Sequence, residues 1–209
     1  MLLSLFLLLL RVKVLSPPFK WLMGILGLFL ITEIVTYLFW YNGKSNLPVL
    51  HVYTLLELIL WTGFYRALFQ DDKVFQRRSL IGLSLGSLFI ILNTIFWEDL
   101  YSFNSQAKTL VQIFLVTYAV IYFFNAFGKT DFSEPIHQAN SLLNFAVILY
   151  YSGSLFIFMF SNVLFEQGSK LHDGFWLFNG ILFAVFQALI CFSVWKVVFR
   201  KQKYISSSP

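Results

Sequence analysis

The chain has 209 residues, of which 58% are hydrophobic, 12% charged and 20% aromatic, with 26 Phe. A soluble domain carries roughly 45–50% apolar and about 25% charged residues, and one core in so short a chain cannot hide this apolar excess from water. The composition excludes a water-soluble domain and makes the chain an integral membrane protein. The formal charge of +5 points to membrane topology rather than nucleic acid, because most basic residues flank long apolar runs.

A spanning helix needs about 20 mostly apolar residues. Read in chain order, the sequence predicts an all-α bundle of seven spans in a single transmembrane domain, at about 1–15, 21–40, 50–69, 79–97, 109–127, 141–165 and 175–199. The lengths and the lack of alternation favour helices over a β-barrel. The first span is short: residues 2–10 would rise only about 14 Å, and even an extension to Leu15 with Arg11 and Lys13 snorkelling falls short of the hydrocarbon core. It is expected to be retained rather than cleaved, since no basic leader precedes it and no small-residue cleavage site follows. Between the spans lie turn signals: Ser16-Pro17-Pro18, Asn42-Gly43, Gln70-Asp71-Asp72, Glu98-Asp99, and the stretches 128–135 and 168–174. Residues 200–209 form a short tail.

The basic residues divide by alternate loops. Arg11, Lys13, Lys20, Arg66, Lys73, Arg77, Arg78, Lys129, Lys196, Arg200, Lys201 and Lys203 fall on one side, against Lys44, Lys108 and Lys170 on the other. The positive-inside rule puts the larger set in the cytoplasm, which predicts an N-out, C-in topology. Trp40, Tyr41, Trp97, Tyr101 and Trp176 would then mark the outer interface, and Trp21 and Trp195 the inner one.

Ionisable residues within spans are the first functional suspects, and here they are Glu33, Glu57 and His51. Helix rise places Glu33 about 18 Å from the inner end of its span and Glu57 about 10 Å below the outer surface, on consecutive antiparallel helices. The two acids are expected to be neighbours, and two carboxylates sharing a low-dielectric site cannot both ionise cheaply, so one would be protonated. Asn93, Gln112, Ser161 and Asn179 fall at the same level, with His51 just above it. Together they suggest a small polar cavity that opens outward. Tyr53, Glu57 and Trp61 form one helical stripe, while Glu33 aligns with Phe29, Tyr37 and Trp40. Asn144, Tyr151, Ser154, Phe158 and Ser161 form another face. Gly82 and Gly86 make a G-x-x-x-G pair suited to close helix packing, within the bundle or between protomers. The blander reading of the acids is hydrogen-bonded glue between helices, and of His51 a capping residue. His137 and His172 fall in connections and read as solvated.

Other chemistries lack their motifs. The sequence has no phosphate-cradling Gly-rich loop, no paired His at metal-ligand spacing and no nucleophile elbow, and its one Cys (Cys191) lies in an apolar run. No catalytic residue, metal ligand or cofactor is assigned.

The stretch His51-Val-Tyr-Thr-Leu-Leu-Glu57, with Phe64-Tyr65-Arg66, Phe103-Asn104-Ser105 and Tyr151-Ser-Gly-Ser-Leu-Phe156, resembles a group of uncharacterised multi-helix, about seven-span inner-membrane proteins of Bacteroidota-type bacteria, over roughly residues 20–199. The resemblance implies a bacterial cytoplasmic membrane and a link to signal transduction, and it supplies no activity. Three functions remain open on the sequence: a sensory protein reporting a ligand or proton at the outer site to a separate signalling protein, a small-molecule or proton-coupled transporter, and a structural subunit docked as a homo-oligomer or within a complex. The lipid bilayer is the partner common to all three.

Overall fold

In the computed structural model, which describes residues 1–127, 134–166 and 169–199, with the side chains of 164–172 left aside, the described chain is helical throughout and no strand occurs among the described residues. The tail at 200–209 and the connection at 128–133 lie outside the described residues, as does the His172 side chain. Among the described residues, six helices are long and apolar enough to cross a membrane, so the protein is a multi-pass membrane protein. They are α2 (Pro17–Tyr41), α3 (Leu47–Leu68), α4 (Lys73–Phe96), α5 (Ser105–Ala126), α6 (Pro135–Met159) and α8 (Ser169–Phe199), joined by two short helices, α1 (Leu2–Leu10) and α7 (Ser161–Glu166).

The element expected to be a short first span is α1. Its nine residues rise about 14 Å, and Arg11 ends it in a 3-10 turn at Val12–Val14. It lies against α2 and α8, burying Leu7 and Leu8 while Leu2, Leu3, Phe6, Leu9 and Leu10 face outward.

Local chemistry sets the ends of the long helices. Proline in the first turn opens α2, α3 and α6, where its missing N–H costs nothing. Asn42 and Gly43 close α2, with Gly43 at φ +65°. The Asp72 carboxylate accepts from the Phe75 amide at 2.9 Å and caps α4. A different device opens α5: Glu98, from the preceding connection, accepts the Gln106 amide at 3.0 Å and so places its charge at the helix N-terminus. This start is four residues earlier than the expected span at 109.

The expected span 141–165 is broken. The helix ends at Met159 and resumes at Ser161, because Ser161 and Asn162 turn their polar groups to the α4–α5 connection. Asn162 donates to the Phe103 carbonyl (3.0 Å) and to Ser105 Oγ (2.6 Å) and accepts from the Phe103 amide (3.2 Å), while Ser161 reaches Ser105 at 3.2 Å. In the last crossing, helix extends back through most of the stretch expected as a loop at 168–174.

The helices α2, α3, α5, α6 and α8 surround the centre, α4 packs outside on α3 and α5, and α1 covers α2 and α8. Gly82 and Gly86 serve this packing within the bundle: a Cβ on Gly82 would lie 2.9 Å from the Phe114 ring, and one on Gly86 3.0 Å from Leu58. An unforeseen close approach joins α2 to α3, where a Cβ on Gly63 would sit 2.6 Å from the Trp21 ring. Trp21, read as an interface anchor, is here a packing partner as well.

Candidate functional site

The stripe Tyr53–Glu57–Trp61 on α3 faces the centre of the bundle. Glu57 is 1% exposed. Its Oε1 accepts the Tyr53 hydroxyl at 2.7 Å, one helical turn away, and the Tyr151 hydroxyl of α6 at 2.8 Å. Trp61 Nε1 donates in turn to the Tyr151 oxygen at 3.0 Å. Glu57 Oε2 receives Lys108 Nζ from α5 at 2.5 Å, a buried ion pair. The Lys108 ammonium also lies over the rings of Tyr53 (4.7 Å), Phe158 (5.3 Å) and Tyr151 (5.8 Å). Three donors on one carboxylate match an anion in every respect: two phenols and an ammonium supply protons, and none is left for the acid to donate.

This corrects the expectation that Glu57 shares its site with Glu33. Glu57 is partnered by Lys108, a residue that sequence reasoning assigned to the outer loops. Glu33 lies elsewhere, exposed on α2 at the rim of a cavity, and among the described residues its carboxylate has no bonded partner; only its backbone carbonyl is engaged, by Thr36 at 3.1 Å. Tyr53 and Tyr150 line the same cavity as Glu33 and lie within electrostatic range of both acids.

The cavity, about 360 Å³, lies at the end of the bundle where α2 meets α3 and α4 meets α5. That size suits a small organic ligand. Lys108 and Tyr53 face it from the ion-pair centre, Asn104 and Thr54 from the α3–α5 side, and Phe158, Trp176 and Phe183 from α6 and α8. Its exposed lining residues are Glu33 on α2 and Gly180 on α8, one on each side of a cleft between these helices. The cleft has a clear origin. Phe29 packs on Phe183 and Phe186 of α8 at ring-centroid distances of 5.9 and 6.4 Å, and beyond Phe29 no residue of α2 is buried. On α8, between Asp173 and Val185, Asn179 alone is buried. Asn179 lines the cavity and pairs with Tyr150, and its Oδ1 has no hydrogen-bond partner.

The remaining predicted site residues do structural work near this end. His51 bonds Thr94 of α4 through Nδ1 (3.0 Å) and the Ser102 carbonyl through Nε2 (3.3 Å). Asn93 donates to Glu98 Oε2 at 2.6 Å and so holds the carboxylate that opens α5. Gln112 donates to Ser154 of α6 at 2.8 Å. Asn104, unremarked except as part of a motif, ties the head of α5 to α3 through the Leu50 carbonyl (3.1 Å) and Thr54 Oγ1 (2.6 Å). On α6, Asn144, Tyr151, Ser154 and Phe158 are all buried, as is Ser161 at the start of α7.

The arrangement can bind and orient a small molecule against a fixed, internally neutral charge pair. Comparison with protein-family models, curated proteins and solved structures gives no match, and the site therefore rests on its own geometry.

Proposed function

We propose that the protein is a membrane receptor that takes a small ligand into the cavity between α2 and α8. The observation that carries this reading is that the cavity ends on a packed floor. Behind Lys108, Tyr53 and Phe158 lie Glu57, Tyr151 and Trp61, and behind those a layer in which Leu22, Ile25, Leu58, Phe64, Leu115 and Ile190 are buried. A site backed by packed side chains suits binding and reporting more than passage.

The basic residues favour the orientation. Arg66, Lys73, Arg77 and Arg78 cluster at the end opposite the cavity, so the positive-inside rule faces the cavity away from the cytoplasm and carries the end of α8 inward. The resemblance noted in the sequence adds a bacterial inner membrane and a signalling partner. In this scheme occupancy alters how α2 and α8 lie together, and their far ends, near the basic clusters, present the change to a separate protein.

The test pairs binding with flux. Gly180→Leu adds apolar bulk at the rim of the cavity, at a position where a Cβ meets nothing within 4 Å. A compound that raises the thermal midpoint of the purified protein should lose that effect in Gly180→Leu, and in proteoliposomes it should cross no faster than in empty vesicles. Saturable flux that Gly180→Leu abolishes would replace the receptor with a transporter.

A further inference from the structure

We infer that the ligand of this cavity is a protonated amine carried on an apolar, aromatic-compatible body. The inference rests on the receptor reading and names the chemistry that the site selects.

Charge supplies the first argument. The cavity has two formally charged side chains on its lining, Lys108 and Glu33. Lys108 is already matched by Glu57 at 2.5 Å and by the faces of three aromatic rings, so it adds no net charge. Glu33 has no such match. It lies eight residues before the end of α2, about 12 Å down the helix, where a lone charged group is costly and calls for a partner. What is missing from the site is one positive charge.

The second argument comes from hydrogen bonding. Asn179 is buried on the opposite side of the cleft, and among the buried side-chain atoms of the described residues that lack a hydrogen-bond partner its Oδ1 is the one that lines the cavity. Buried polar atoms in native proteins are almost always satisfied. A carboxylate and an amide oxygen together ask for a cation that carries N–H groups. A quaternary ammonium would match the first and not the second, and a carboxylate ligand would match neither.

Apolar walls complete the site. Phe29, Tyr150, Trp176 and Phe183 border the space between the two acceptors, and aromatic faces attract cations while burying the hydrocarbon that bears them. An amine seated between Glu33 and Asn179 would also tie the unpacked half of α2 to the unpacked half of α8, which gives binding a structural consequence.

The experiment uses the full chain in phosphatidylcholine nanodiscs, titrated by calorimetry and tryptophan fluorescence with three probes of similar size: 2-phenylethylammonium, the neutral 2-phenylethanol and the anionic 3-phenylpropanoate. The ammonium should bind saturably, with the alcohol about tenfold weaker and the carboxylate weaker still, as for a charge-assisted hydrogen bond. Glu33→Gln should remove that tenfold advantage and leave the alcohol's affinity unchanged, and Gly180→Leu should abolish binding of all three. If Glu33→Gln binds the ammonium as wild type does, or the anion binds best, the amine is overturned while the cavity stands. If no probe binds, or Gly180→Leu changes nothing, the receptor reading falls and the amine with it.

Discussion

The two ends of the bundle are built from the same helices on opposite rules. At the α1 end, α2 buries Phe19, Leu22, Ile25 and Leu26, α8 buries Ile190 and Val194, and α1 adds Leu7 and Leu8, so α2 and α8 meet there through apolar packing, beside polar contacts such as Ser193 to the Ala139 carbonyl (2.8 Å) and Gln76 to the Arg66 carbonyl (2.7 Å). At the cavity end α2 buries nothing past Phe29, and polar clamps replace the apolar contacts: Asn104 to α3, Asn162 to the α4–α5 connection, His51 to α4. Within a bilayer, burying apolar surface between helices gains little over leaving it against lipid, and specificity comes from close packing and from polar pairs. The comparison shows one bundle in which α2 is packed in at one end and left free at the other, where the contacts between the remaining helices lean on hydrogen bonds.

The largest test of that contrast falls on the ion pair that separates the halves. Lys108→Met should leave the Glu57 carboxylate buried with two phenols for company and cost about 3–5 kcal/mol, as for other broken buried pairs. The measurement is the unfolding midpoint in mixed micelles. Adding Glu57→Gln should recover most of the loss, because both charges then leave together. A Lys108→Met protein as stable as wild type would mean that the pair does not organise the centre.

This pair also marks where the sequence stopped being legible. Helix existence, order and rough depth followed from apolar runs and from turn residues such as Pro48, Asn42 and Asp72. Depth alone brought Glu33, Glu57 and Asn179 to one level; Glu33 and Asn179 line the cavity, and Glu57 lies behind it, midway along α3. Direction around each helix was harder, because lipid-facing and buried positions are both apolar here and the 3.6-residue pattern is faint. Tyr53, Glu57 and Trp61 were readable because polar and aromatic groups recur at spacings of four. Lys108 was lost to a boundary. Glu98 caps α5 four residues before the apolar run begins, and this moves the lysine from a loop into the first turn. A cation there opposes the helix dipole by about 0.3–1 kcal/mol, so its presence needs a partner, and an acid at matching depth on α3 was the available signal. The break at Phe160 was hidden for a similar reason: it depends on what Asn162 finds on a distant connection.

The packed half should respond to shape. Gly63→Ala would place a Cβ 2.6 Å from two atoms of the Trp21 ring and 2.8 Å from a third, and Trp21 must move. Overpacking of this kind costs about 1–3 kcal/mol, read as a lower thermal midpoint, with amine affinity at the cavity unchanged. If affinity falls with stability, the two halves are not separable.

The clamped half should respond to lost hydrogen bonds. Asn162→Ala removes the side chain that holds both the Phe103 carbonyl and its amide, at a net cost of about 1–2 kcal/mol on the usual scale for such bonds. Phe103 borders the cavity, so ligand affinity should fall as well. The signature is the reverse of that at Gly63, namely a smaller loss of stability accompanied by a loss of binding.

The smallest expected effect is the most informative. Glu33 is exposed, and no side-chain bond to it exists among the described residues, so Glu33→Gln should cost no stability: it removes an unpaired charge from a spanning helix and should leave the unfolding midpoint at or above that of wild type. Glu57→Gln, an identical change one helix away, would strand Lys108 and lower the midpoint. Two carboxylates at similar depth thus differ in what they are for: one is consumed by the fold, and the other is left over. A Glu33→Gln protein that proved strongly destabilised would mean that Glu33 has a structural partner, and the free negative charge on which amine selectivity depends would no longer exist.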